Sequence, residues 1–162
     1  TGFMGSGKTT VGTILAQKIG YTFLDADVCL EQREGKSIRE IFETCGEAAF
    51  REMETSCIAA LAGQRHAVLA TGGGAVLRPE NIRALREYGV IVYLNASVDT
   101  VWEHTANSGA RPLINGQTKS QIGARLSERQ PYYQNNALAV VVDNLSPLAI
   151  VEQIIRQVKP LL

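Results

Sequence analysis

The stretch TGFMGSGKTT, residues 1–10, sets glycines at 2, 5 and 7 ahead of Lys8, Thr9 and Thr10. Gly2, Gly7, Lys8 and Thr9 satisfy G-x-x-x-x-G-K-[ST], and Val11, Ile14, Leu15 and Ile19 follow at helical spacing until Gly20. Glycines accept backbone angles that other residues avoid, so successive N–H groups can turn inward on an anion. The following helix adds the positive end of its dipole at the same point. Lys8 is placed to reach the outer phosphates of a nucleotide, and Thr9 to bind magnesium through its hydroxyl. The stretch reads as a nucleotide phosphate site. Such a loop joins the carboxyl end of a central strand to a helix. Only Thr1 precedes Gly2, so a strand of at least about five mostly apolar residues is expected ahead of it.

Beyond the loop, apolar and turn signals alternate as strand and helix. YTFLDAD (21–27) reads as a short strand running into a polar turn. Ser37 and Glu40 form a capping box for a helix with Ile38, Ile41 and Phe42 that Gly46 closes. Phe50, Met53, Cys57, Ile58 and Leu61 continue at helical spacing. AVLAT (67–71), VIVYL (90–94) and LAVVVD (138–143) read as buried strands. Helices are expected after Pro79, Ser97 and Ser146-Pro147, with another around Ile122 and Leu126. The pattern predicts one α/β domain over residues 1–162, built on a parallel sheet.

The composition narrows the function. Of 162 residues, 45% are apolar and 20% charged, with 16 basic residues against 16 acidic. That balance excludes a global field that would recruit nucleic acid or an anionic membrane. No apolar run reaches the roughly 18 residues of a membrane span. Cys29, Cys45 and Cys57 share no metal spacing. They read as reduced thiols packed as small hydrophobes, with the cytoplasm as the expected compartment and a monomer as the expected state.

The loop alone does not separate a switch from a kinase, so the acceptor side must. Asp25 and Asp27 end the strand after the loop's helix, where they serve either as turn chemistry or as the carboxylates of a phosphoryl transfer. Arg51 is a solvated helix arginine or an anion contact, and Arg129, before Pro131, leaves the same choice open. The glycines at 72, 73 and 74 make a tight turn or let a ligand approach the backbone. Arg111, between Gly109 and Gly116, suits a closing lid over residues 106–118. His66 and His104 have no metal-ligand spacing.

GFMGSGKTT, FLDAD, IFETCGEAAFREME, ATGGGAV, RPL and ERQPYY occur together in this order, and in this the chain resembles the shikimate kinase family from residue 2 to about residue 143. The resemblance implies a three-layer α/β/α P-loop kinase fold with a five-stranded parallel sheet, and an acceptor-binding region at about 25–62. It implies that Gly5, Ser6, Gly7, Lys8, Thr9 and Thr10 cradle ATP, with Thr9 on Mg2+ and Asp25 supporting the metal through water. Asp27 would contact the ring hydroxyls of shikimate, and Arg51 and Arg129 its carboxylate. Gly73 would approach the substrate through its backbone, and Arg111 would descend with the lid. His104 stands where many relatives carry an arginine near the adenine. Kinases of another small acceptor such as gluconate, and a non-catalytic nucleotide module, are the alternatives.

Overall fold

The computed structural model describes residues 1–106 and 118–161. Gly7, with φ of 86°, turns the chain out of the loop into α1 (Lys8–Ile19), which ends at Gly20 in the left-handed region. β1 (Thr22–Asp25) leads directly into α2 (Ala26–Glu34), and α3 spans Ile38–Ala62. β2 (Ala67–Ala70), α4 (Pro79–Tyr88), β3 (Val92–Asn95) and α5 (Val98–Ala106) follow. After the undescribed 107–117 come α6 (Lys119–Gln134), β4 (Leu138–Val141) and α7 (Pro147–Val158).

The capping box at Ser37 is present, and Gly46 breaks α3 with φ of 80° and ψ of 171°. Helix α2 departs from the expected polar turn. Only Ala26 and Leu30 are buried on it, so its apolar signal is weak. Its start is fixed instead by the Asp25 carboxylate, which caps the N–H of Asp27 at 3.1 Å. Cys57 is buried and Cys29 partly so, but Cys45 is exposed beside the Gly46 break, against the expectation that all three pack inside.

The described strands form two parallel pairs, β1 with β2 and β3 with β4, rather than one continuous sheet of five. Between the free edges of β2 and β3 lies a slot of about 1100 Å³, with α1 and α7 along it. Val11, Leu15, Val68, Val92 and Ile154 line it. The Thr1 amino group donates to Val92 O at 2.7 Å, and Leu94 N donates to Thr1 O at 3.0 Å. The chain thus runs along β3 before entering the loop. This is the position expected for the strand ahead of the glycines.

The main core gathers Phe3, Tyr93, Val101, Ile122, Tyr133, Val140 and Val151. A smaller cluster, Leu30, Ile41, Phe50 and Cys57, holds α2 against α3. Because the paired strands are parallel, the carboxyl ends of β1 and β2 come together beside the glycine loop. Ligands of open α/β sheets bind at such ends.

Candidate active site

The loop is built by its own backbone. Ser6 N donates to Phe3 O at 3.2 Å, and Gly5 takes φ of 77°, a left-handed angle that glycine adopts without strain. No side chain caps the start of α1, so the first amides of the helix keep their donors for an anion. Lys8 folds back over the loop, its Nζ donating to Gly2 O at 2.8 Å and Phe3 O at 2.9 Å. The loop is held from outside by α5. His104 Nδ1 lies 2.8 Å from Gly5 O, and a Cβ on Gly5 would meet Thr105 Cγ2 at 2.8 Å. Asp143, beyond β4, accepts Ser97 N–H at 2.9 Å and the Thr100 hydroxyl at 2.6 Å, and so fixes the start of α5. Burial opposes the charge of Asp143, yet the bonds from Thr100 and Ser97 outweigh it and hold the carboxyl below its ordinary range.

Thr9 and Asp25, the pair expected at magnesium, do meet. Thr9 Oγ1 donates to Asp25 Oδ2 at 3.1 Å, across the gap between α1 and the end of β1. Two hard oxygen donors beside a phosphate loop fit Mg2+, which takes few protein ligands and keeps phosphate oxygens and waters. Among the described residues there is no group of three His, Cys, Asp or Glu that could hold a metal.

Asp27, in the first turn of α2, faces the glycine triplet. A Cβ on Gly72 would lie 2.7 Å from Glu54 Oε1 and 3.0 Å from Asp27 Oδ1, so both carboxylates close on that backbone position. A Cβ on Gly74 would lie 2.5 Å from Arg51 Nη1. The missing side chains of Gly72 and Gly74 make room for a carboxylate pair and a guanidinium.

Arg51 is no solvated helix arginine. Its Nη1 donates to Glu54 Oε2 at 2.8 Å and its Nη2 to Glu47 Oε1 at 3.2 Å, with the guanidinium 5.0 Å from the Phe50 ring centroid. Burial would lower its pKa, but Glu54 and Glu47 outweigh burial and raise it, so the charge is secured. Arg129 sits inside α6 rather than at its end, because Pro131 is accommodated within the last turns and the helix continues to Gln134. Its guanidinium lies 5.8 Å from the Phe3 ring centroid. The charges of both Arg51 and Arg129 act on the Tyr133 hydroxyl. Arg111 and the body of the expected lid, 107–117, lie outside the described residues.

Glu54 escapes a reading of the sequence. It is 2% exposed, and its Oε1 has no hydrogen-bond partner among the described residues. A carboxylate oxygen so placed calls for a donor. The signal was its position three residues after Arg51, on the same helix face. His104 escapes too, since it works through a backbone carbonyl and not through a side-chain cluster.

A glycine loop at the head of a helix, a threonine–aspartate pair beside it and an arginine with two carboxylates at the strand ends are the parts of a P-loop kinase of small molecules. A sequence model of the shikimate kinase family matches residues 4–159, and the chain belongs to that family. A shikimate kinase of Moorella thermoacetica is 42% identical over 153 residues, covering 94% of this chain and 88% of that protein. One of Geobacter sulfurreducens is 43% identical over 141 residues, covering 86% and 78%. Among solved structures, the shikimate kinase of Acinetobacter baumannii in complex with shikimate superposes with a TM-score of 0.91 at 34% identity, covering 98% of this chain and 90% of the other. A gluconokinase of Sinorhizobium meliloti, at 20% identity and a TM-score of 0.65, covers 99% and 92%, and its likeness is one of fold alone.

Proposed function

We propose that this chain transfers the γ-phosphate of ATP to the 3-hydroxyl of shikimate, giving shikimate 3-phosphate and ADP. The observation that carries this is the set at the ends of β1 and β2, where Arg51, Glu54 and Asp27 gather around Gly72 and Gly74. Shikimate presents a carboxylate and several hydroxyls, which match that set. Arginine forks suit a planar carboxylate, and carboxylate oxygens accept from hydroxyls.

The amides of the loop, Gly5 to the start of α1, together with Ser6, Lys8 and Thr10, hold the nucleotide phosphates. Lys8 leaves the Gly2 and Phe3 carbonyls to meet the β and γ phosphates. Asp27 orients the acceptor hydroxyl in line with the γ-phosphate and takes its proton as the bond forms. Gly73 lets the acceptor approach the backbone, and Arg111 supplies positive charge from the lid segment. Thr9 and Asp25 would hold Mg2+, which would neutralise charge on the phosphates. Most of the acceleration comes from positioning and electrostatics, with no covalent intermediate. A monomer is the working unit of this reading. Free cysteines support a cytoplasmic setting, and no described helix is long and apolar enough to cross a membrane.

The test is ADP release by the protein with Mg2+ and ATP, with and without shikimate. Release that requires shikimate is expected. Release that ignores it, or that gluconate drives equally well, would overturn the assignment.

Replacing either pocket arginine by lysine gives a sharper view. Arg51→Lys and Arg129→Lys each lose the fork on the carboxylate, and a charge-assisted contact is worth about 1.5–3 kcal/mol. Shikimate affinity, measured by titration, should fall roughly ten- to a hundredfold in each. Unchanged affinity in both would place the carboxylate elsewhere.

A further inference from the structure

The largest buried polar side chain that the mechanism leaves unused is Tyr133. It is 0% exposed, and its ring stacks on Tyr93 of β3, with centroids 4.7 Å apart and planes 6° from parallel. Its hydroxyl donates to Gly73 O at 2.5 Å. The residue lies four positions after Arg129, on the same face of α6. The positive charges of Arg129 and Arg51 both act on the phenol.

We propose that Tyr133 is the positioning residue of the acceptor pocket, its hydroxyl locking the glycine triplet to the helix turn that carries Arg129. This rests on the shikimate kinase reading given above. Phenylalanine would fill the same space and stack on the same ring, so packing alone does not call for a hydroxyl. A buried hydroxyl costs free energy unless it is bonded, and here it is bonded to the triplet. The consequence is geometric. The carbonyl of Gly73 and the N–H of Gly74 belong to one planar peptide and point opposite ways. Holding the carbonyl on Tyr133 therefore fixes the direction of that N–H, just where a Cβ on Gly74 would strike Arg51. On its other side Gly73 has little room, since a Cβ there would lie 3.4 Å from Gly2 O and from Met4 N. The triplet is thus held between the phosphate loop and the phenol. Burial pushes the Tyr133 phenol up to about 12, against the opposing charges of Arg129 and Arg51, so it remains a donor at any working pH.

The experiment compares steady-state kinetics of wild type, Tyr133→Phe and Tyr93→Phe. Both variants lose a buried hydroxyl while keeping the stacked rings, but the Tyr93 hydroxyl bonds Asn95 Oδ1 at 3.1 Å and not the triplet. Tyr133→Phe should raise the KM for shikimate about five- to thirtyfold, as expected when a buried acceptor loses its donor. The kcat should stay within about threefold and the KM for ATP within about twofold, and Tyr93→Phe should match wild type in all three. Where turnover is weak, the rise in Tm on adding shikimate gives the same ranking. Combined with Arg129→Lys, the loss in shikimate affinity should be smaller than the product of the single losses. A shikimate KM within twofold of wild type, an equal rise in Tyr93→Phe, or strictly multiplicative losses would overturn the proposal. Absence of shikimate-dependent ADP release in the wild type would instead strike the underlying assignment, before any variant is compared.

Discussion

Asp27→Asn should reduce shikimate phosphorylation about 10²- to 10⁴-fold, the usual worth of a positioned acid–base group, while ATP binding stays within about twofold. Asparagine keeps the shape and can still accept from one hydroxyl, but it cannot take a proton. Asp27 stands next to Glu54 at the Gly72 position, not on the phosphate loop, so nucleotide contacts are spared. The N-cap of α2 is also spared, because Asp25 supplies it. ADP release and nucleotide titration on the same sample check both halves. Turnover like that of wild type would remove Asp27 from the reaction. Equal loss of ATP binding would mean that the residue supports the loop instead.

The second large effect concerns the slot in the sheet. Adding five or six apolar residues ahead of Thr1 should raise thermal stability and tighten ATP binding. The geometry gives the reason: β2 and β3 offer free edges on either side of about 1100 Å³ of mostly apolar space. Thr1 already pairs with Val92 and Leu94 at the mouth of that space. Each buried Val or Ile gains about 1.5–3 kcal/mol, against about 1–2 kcal/mol per ordered residue, and each ladder bond adds about 1 kcal/mol. A net gain of about 3 kcal/mol corresponds to a rise in Tm of roughly 6–12 °C for a chain of this size. Calorimetry on the two lengths, with ATP titration, measures it. Equal Tm and equal affinity would show that the slot takes no strand.

How far the sequence carried depends on what kind of signal each feature leaves. The loop, the capping box at Ser37, the break at Gly46 and the Pro79 and Pro147 helix starts were legible because each rests on local backbone chemistry. Strand ends shifted by one or two residues, as with VIVYL, which pairs as Val92–Asn95. Helix α2 was missed because its buried face is two residues wide. At the candidate site, the meeting of Thr9 with Asp25 and the gathering of Asp27 and Arg51 at the glycine triplet follow from residues that type and position had singled out. Tyr133 was not, nor was the bond by which His104 holds the loop, because their partners lie far along the chain: His104 reaches back 99 residues to Gly5, and Tyr133 60 residues to Gly73. Local pattern holds no record of such contacts.

Lys8 rests on the carbonyls of Gly2 and Phe3, which makes the loop its own competitor. In the proposed reading an incoming nucleotide would trade those contacts for new ones, so its affinity would be a difference between two occupied states of one ammonium group. A replacement of Lys8 reports that difference and understates the strength of either state. The same exchange acts as a filter: a ligand whose phosphates do not reach the ammonium leaves it at rest, and only a polyphosphate of sufficient length recruits it.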